Sequence, residues 1–168
     1  MDRTLVAWVE DRPGVLNRVA SLFRRRAFNI ESLTVGHTEE PGVSRMTIVV
    51  DGEKTDTEKV MQNLYKLVNV IRVEDVTETP AVFRDLALIK VNASNGQRSE
   101  VMQIVDTFRA RVVDLGLETL TVEVTGTEDK INGLCEILQP FGVQEMVRTG
   151  RVAMVRGKNG DGPEDGEA

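Results

Sequence analysis

The stretch Asp11-Arg12-Pro13-Gly14 holds the first chemistry that this sequence offers. A strand-like run ends there, and an apolar pattern with helical spacing begins at Val15. The first N–H groups of a helix have no partner inside it. Those of Gly14, Val15 and Leu16 therefore face outward with the positive end of the helix dipole, a setting that favours an anion. Pro13 supplies no N–H and fixes the turn, while Gly14 lets a ligand approach the backbone closely. A carboxylate suits so small a mouth. The glycine-rich loops that cradle polyphosphates do not occur.

Asn29 follows the end of the same helix pattern. Its amide both donates and accepts, which matches the ammonium and carboxylate of an amino acid. Ile30 and Val35 could wall an apolar side chain, and Asp11 could balance an ammonium. One loop and the next strand start thus offer the parts of a small amino-acid site. The same residues also make an ordinary turn, and an asparagine at a helix end is commonly just a left-handed cap. Arg12 with Asn29 superficially fits an acylphosphatase-like hydrolase, yet no clustered acid, base or nucleophile accompanies them.

Composition narrows the field. Apolar residues make up 40% of the 168 and aromatics only 4%, so the core must be built from Val, Leu, Ile and Ala. Cys135 is the only cysteine and His37 the only histidine. A disulfide framework within the chain is excluded, and a cytoplasmic location is expected. A Cys/His metal site would need ligands from several chains, and general-base options are few. Cys135 falls in an apolar helix pattern and reads as a core residue, His37 as a surface one. The net charge of −6 argues against a nucleic-acid partner, and the Arg24–Arg26 run reads as a solvated helix end. No apolar run approaches the roughly 20 residues that span a bilayer, so no membrane partner is expected. The N-terminus resembles neither a signal nor a transit peptide.

The elements that must position these residues follow from periodicity. Strands are expected over 4–10, 30–37, 44–50 and 70–76, with helices over 15–26 and from residue 55. Val15, Val19, Leu22 and Phe23 make the apolar face of the first helix. The order is βαββαβ. Thr79-Pro80-Ala81 reads as a boundary, after which the pattern repeats: strands over 84–91, 110–114, 117–124, 143–147 and 151–155, and helices over 99–108, capped by Ser99, and 127–138. The fold class is α+β, two tandem ferredoxin-like (βαββαβ) sandwiches spanning 1–78 and 79–157. Each has helices on one sheet face only, so the other face or an edge needs a partner, and an oligomer is expected. Residues 158–168 read as a disordered acidic tail.

The stretch EDRPGVLNRVASLFRRRAFNIESLTVGHTEEPGVSRMTIVV, from residue 10 to residue 50, resembles the regulatory small subunit of acetohydroxyacid synthase, also called acetolactate synthase. The Pro13-Gly14-Val15-Leu16 turn is shared by ACT domains generally, whereas FNIESLTVG followed by SRMTIVV is more specific. TPAVFRDLALIKV, RSEVMQIVDTFRARVVD, LTVEVTG and TGRVAMVRG extend the likeness through residue 157. The resemblance implies an N-terminal ACT domain, an ACT-like second domain and no catalysis by the chain itself. It implies a catalytic large subunit as partner, carrying thiamine diphosphate, magnesium and FAD. The complex would join pyruvate to pyruvate or 2-oxobutyrate, entering branched-chain amino acid synthesis, under feedback inhibition by valine. It also implies a homodimer through the N-terminal domains. There Gly14, Val15 and Leu16 of one chain would bind the effector's carboxylate, while Asn29 and Ile30 close the site from the other; Asp11 and Val35 complete the set. A free-standing ACT-type amino-acid sensor is the alternative.

Overall fold

The computed structural model describes residues 1–157; the expected acidic tail lies outside them. Two compact units divide the chain: Met1–Val82 together with the segment from Arg151, and Phe83–Gly150.

In the first unit, β1 (Asp2–Glu10), α1 (Val15–Arg25), β2 (Ile30–His37), β3 (Val43–Asp51), α2 (Thr57–Tyr65) and β4 (Val70–Asp75) reproduce the βαββαβ order. The sheet is antiparallel in the order β2-β3-β1-β4. Leu5, Ala7 and Val9 of β1 and Met46, Ile48 and Val50 of β3 point to the helices, where Val19 and Phe23 of α1 and Val60 and Leu64 of α2 meet them. Alternation along a strand sends the intervening residues to the opposite face. There Thr4, Val6, Thr47 and Val49 are buried too, which is why β1 reads as an almost unbroken apolar run.

The cover of that second face comes from the far end of the chain. The N–H of Arg151 donates to Ser32 Oγ at 3.1 Å, and its guanidinium donates to Thr4 Oγ1 at 3.0 Å. Arg45 donates to the carbonyl of Ala153, itself buried. The sequence reading places residues 151–155 in the second half; in the structure they group with the first unit. The guanidiniums of Arg72 and Arg45 lie 3.7 and 4.8 Å from the ring centroid of Trp8, the chain's only tryptophan.

The plan repeats with β5 (Ala81–Asn92), α3 (Arg98–Thr107), β6 (Arg111–Leu115), β7 (Thr119–Gly126), α4 (Glu128–Leu138) and β8 (Val143–Arg148), which from Phe83 onward make up the second unit. Its sheet order is β6-β7-β5-β8. Leu120, Val122 and Val124 alternate inward as expected and pack on Val101, Val105, Ile131 and Leu134. One helix start is corrected. Ser99 does not cap α3; Gln97 occupies that position. The N–H groups of Gln97 and Arg98 both donate to the Ser94 carbonyl, so a turn leads the helix in early. Arg98 then anchors that turn on the carbonyls of Ala93, Gly116 and Leu117. The last strand, β9 (Val152–Val155), belongs to the segment described above. In α2, Asp56 is the cap, accepting from the Lys59 N–H at 3.2 Å, and that bond holds its carboxyl below the usual carboxylate range.

The two units share a helix stop that composition does not announce. Ala27 and Arg109 both take left-handed backbone, with φ of 55° and 53°. Phe28 N–H returns to the Phe23 carbonyl and Ala110 N–H to that of Val105, the long bond of the motif that usually carries glycine. The left-handed region costs an L-residue about 1–2 kcal/mol, and glycine's extra chain entropy offsets part of the gain. An Ala27→Gly variant is therefore expected to be about 0.5–1 kcal/mol more stable, read as a higher midpoint in denaturant unfolding.

Candidate functional site

The Gly14 turn does form a helix mouth. Gly14 is the N-cap of α1, with φ 85° and ψ −8°, and no side chain caps the helix. A Cβ built there would meet nothing within 4 Å, so the glycine is demanded by its backbone angle and not by space. Among the described residues, the N–H groups of Gly14, Leu16 and Asn17 have no hydrogen-bond acceptor. Val15 differs from expectation: its N–H donates to the Arg12 carbonyl at 3.3 Å. The turn closes on itself there, so the outward donors are Gly14, Leu16 and Asn17. The Val15 side chain is buried in the core, and that of Leu16 is 46% exposed.

The loop before the helix is held from two sides. Asp11 N–H donates to the Gly42 carbonyl at 2.8 Å, tying it to the β2–β3 hairpin, and Glu10 N–H donates to the Asn69 carbonyl at 2.9 Å, tying it to the entry of β4. The Asp11 carboxylate lies 3.1 Å from His37 Nδ1. His37 therefore stands beside the mouth, a neighbour that its place 26 positions along the chain does not signal. Arg12 Nε sits 3.3 Å from Glu10 Oε2.

The Asn29 half lies elsewhere. Because Ala27 takes the left-handed position, Asn29 is not the cap of α1. It is exposed, and its amide donates to the Glu31 carboxylate. Ile30 packs partly against the core, and Val35 is 42% exposed. The 11 residues of α1 separate Gly14 from Asn29, about 16 Å at the helical rise of 1.5 Å per residue. The register agrees. Ile30 pairs with Val50, opposite Arg3, whereas the mouth follows Glu10, which pairs with Val43 at the other end of the sheet. Within one chain the two halves do not meet. Arg12 and Asn29 are kept apart by the same helix, which removes the hydrolase pairing. Both Asn29 and Ile30 stand at the start of β2, and β2 is an edge strand of its sheet.

Other candidates lie outside this site. Cys135 is partly buried against the second core, and burial pushes its thiol pKa up, away from the reactive thiolate. Among the described residues, no group of three or more His, Cys, Asp or Glu side chains is placed to hold a metal ion. No helix among them is long and apolar enough to cross a membrane.

Two family models match the chain. Residues 5–72 match the AHAS small subunit-like ACT domain, and residues 84–157 match the small subunit of acetolactate synthase. The acetolactate synthase small subunit of Mycobacterium leprae is 55% identical over 159 residues, covering 95% of this chain and 94% of that protein. That of Mycolicibacterium smegmatis is 48% identical over 159 residues, with 95% and 94% covered. The crystal structure of the acetolactate synthase small subunit from Thermotoga maritima superposes with a TM-score of 0.86 at 38% identity, covering 94% of this chain and 98% of that one. Likeness of this extent runs through the mouth, the Asn29 strand start and both βαββαβ units, and on it the chain belongs to the acetolactate synthase small-subunit family.

Proposed function

We propose that this chain is a regulatory subunit that raises the activity of a catalytic acetolactate synthase subunit and makes it sensitive to valine. The observation that carries the reading is the pair of half-sites: bare N–H groups at Gly14 and Leu16, and an exposed Asn29 that no helix end consumes and whose amide donates to the Glu31 carboxylate. On this reading two first units associate through β2, and each brings its Asn29 to the other's mouth. The effector's carboxylate takes the N–H groups of the mouth, where charge-assisted bonds are stronger than neutral ones. Asn29 and Asp11 meet its ammonium, and Ile30 and Val35 wall its side chain. His37 beside Asp11 supplies a donor that tempers the carboxylate's repulsion of the ligand's own acid group.

An effector shifts an equilibrium only by its differential affinity for two states. A site shared by two chains meets that condition, because any change in how the chains meet alters the site. Thiamine diphosphate, magnesium and FAD are assigned to the catalytic partner, and the complex to the cytoplasm, at the entry to branched-chain amino acid synthesis. The test is reconstitution with the catalytic subunit, assayed with and without valine, beside calorimetry with valine, leucine and isoleucine. Activation of the synthase and saturable inhibition by valine are expected. Absence of heat with all three amino acids, with no effect on the synthase, rejects the proposal.

A further inference from the structure

The mouth depends on a residue far from it in sequence. Asn69 stands between α2 and β4 and is only 8% exposed. Its backbone carbonyl accepts from Glu10 N–H at 2.9 Å. Its side-chain Nδ2 donates to Glu10 Oε2 at 3.0 Å, and its Oδ1 accepts from Arg18 Nη1 at 2.6 Å. Glu10 is the last residue before the Asp11–Gly14 turn. Arg18 is the residue whose N–H makes the first helical bond of α1, to the Gly14 carbonyl at 3.0 Å. Asn69 thus grips the chain immediately before the effector turn and the helix immediately after it. A buried amide with both ends engaged fixes geometry in a way that exposed ion pairs do not.

We propose that Asn69, acting with Arg18, is a positioning residue that holds the Gly14 turn in its ligand-accepting form. The inference rests on the reading of that turn as an effector site. It gives the network a purpose that core packing alone does not require, since the apolar core of the first unit is complete without it. Losing the amide leaves Arg18 without that acceptor and the Glu10 carboxylate held only by Arg12, while Glu10 N–H keeps its bond to the residue-69 carbonyl; with its side-chain tie cut, the turn samples other forms. The mouth then pays an ordering cost when the effector binds, which lowers affinity without removing any contact to the ligand.

The test uses Asn69→Ala, Arg18→Met and the double variant, each assembled with the catalytic subunit and titrated with valine. Each single change is expected to raise the half-inhibiting valine concentration about tenfold, the scale of one hydrogen bond involving a charged group. The inhibition reached at saturating valine should persist. The double variant should be no worse than Asn69→Ala alone, because that change already cuts the Arg18–Asn69 link that Arg18→Met removes. Amide hydrogen exchange at Asp11, Val15 and Arg18 should quicken while that of Ile48, in the central strand β3, holds. Arg18 is exposed, so its variant folds even if Asn69→Ala does not. A wild-type protein indifferent to valine removes the sensing reading and this inference together. A responsive wild type with unchanged Asn69→Ala and Arg18→Met titrations removes the inference alone. So do additive losses, or exchange that quickens equally at Ile48.

Discussion

A Phe23→Ala substitution is expected to cost the first unit about 3–5 kcal/mol of folding stability, the range for emptying a buried aromatic site. Phe23 is 2% exposed and is the bulkiest side chain of the fully buried core. It meets Phe28 edge-on, with ring centroids 6.0 Å apart and planes at 76°, a geometry that adds to simple area burial. Phe28 also supplies the N–H that closes α1 onto the Phe23 carbonyl, so the cavity would loosen the helix stop as well as the core. A loss of this size is a large fraction of the roughly 5–15 kcal/mol available to a domain. Trp8 lies in the first unit and is the chain's only tryptophan, so its fluorescence follows that unit specifically. The denaturant midpoint read by Trp8 should fall sharply.

The second large effect concerns the mouth. Gly14→Val places a β-branched residue at φ 85°, a true outlier for that side chain. The strain of about 1–2 kcal/mol is relieved by rotating the peptide, which weakens the Arg18 N–H bond to the Gly14 carbonyl. Rotation turns the Gly14 N–H away from the mouth and shifts the start of α1. Each charge-assisted bond lost to a carboxylate is worth about 1.5–3 kcal/mol, so valine affinity should fall by about tenfold to more than a hundredfold. Gly14→Asn, which tolerates left-handed backbone, should keep most of the response. Calorimetry on the two variants separates lost conformation from lost space.

Much of this was legible in the chain because periodicity reports burial directly. Val15, Val19, Leu22 and Phe23 recur at helical spacing, and all four are buried. The repeat of βαββαβ shows in the second half for the same reason. What stayed hidden depends on distant partners. Nothing in Ala27 announces left-handed backbone; the packing of Phe28 against the core imposes it. Ser99 has the composition of a cap, but the turn at Ser94 starts the helix before it. Val152–Val155 form a short apolar strand that Arg151 and the Ala153 carbonyl tie to Thr4, Ser32 and Arg45, more than a hundred residues earlier. Asn69 has no local pattern at all. For the site, Gly14 and Asn29 stand out by type, whereas the bonded N–H of Val15 and the approach of His37 to Asp11 required the fold.

The separation of Gly14 from Asn29 along α1 makes the central claim open to a mixing experiment. Chains carrying Gly14→Val and chains carrying Asn29→Val are unfolded, combined and refolded together, then titrated with valine over a range of concentration in which neither variant binds alone. If the mouth of one chain is completed by Asn29 of the next, roughly half of the randomly formed two-fold dimers contain one intact site beside one doubly broken site. Valine binding should return at a fraction of the wild-type stoichiometry and with near wild-type affinity. A mixture as silent as its parents would show that both residues act within a single chain, or not on valine at all.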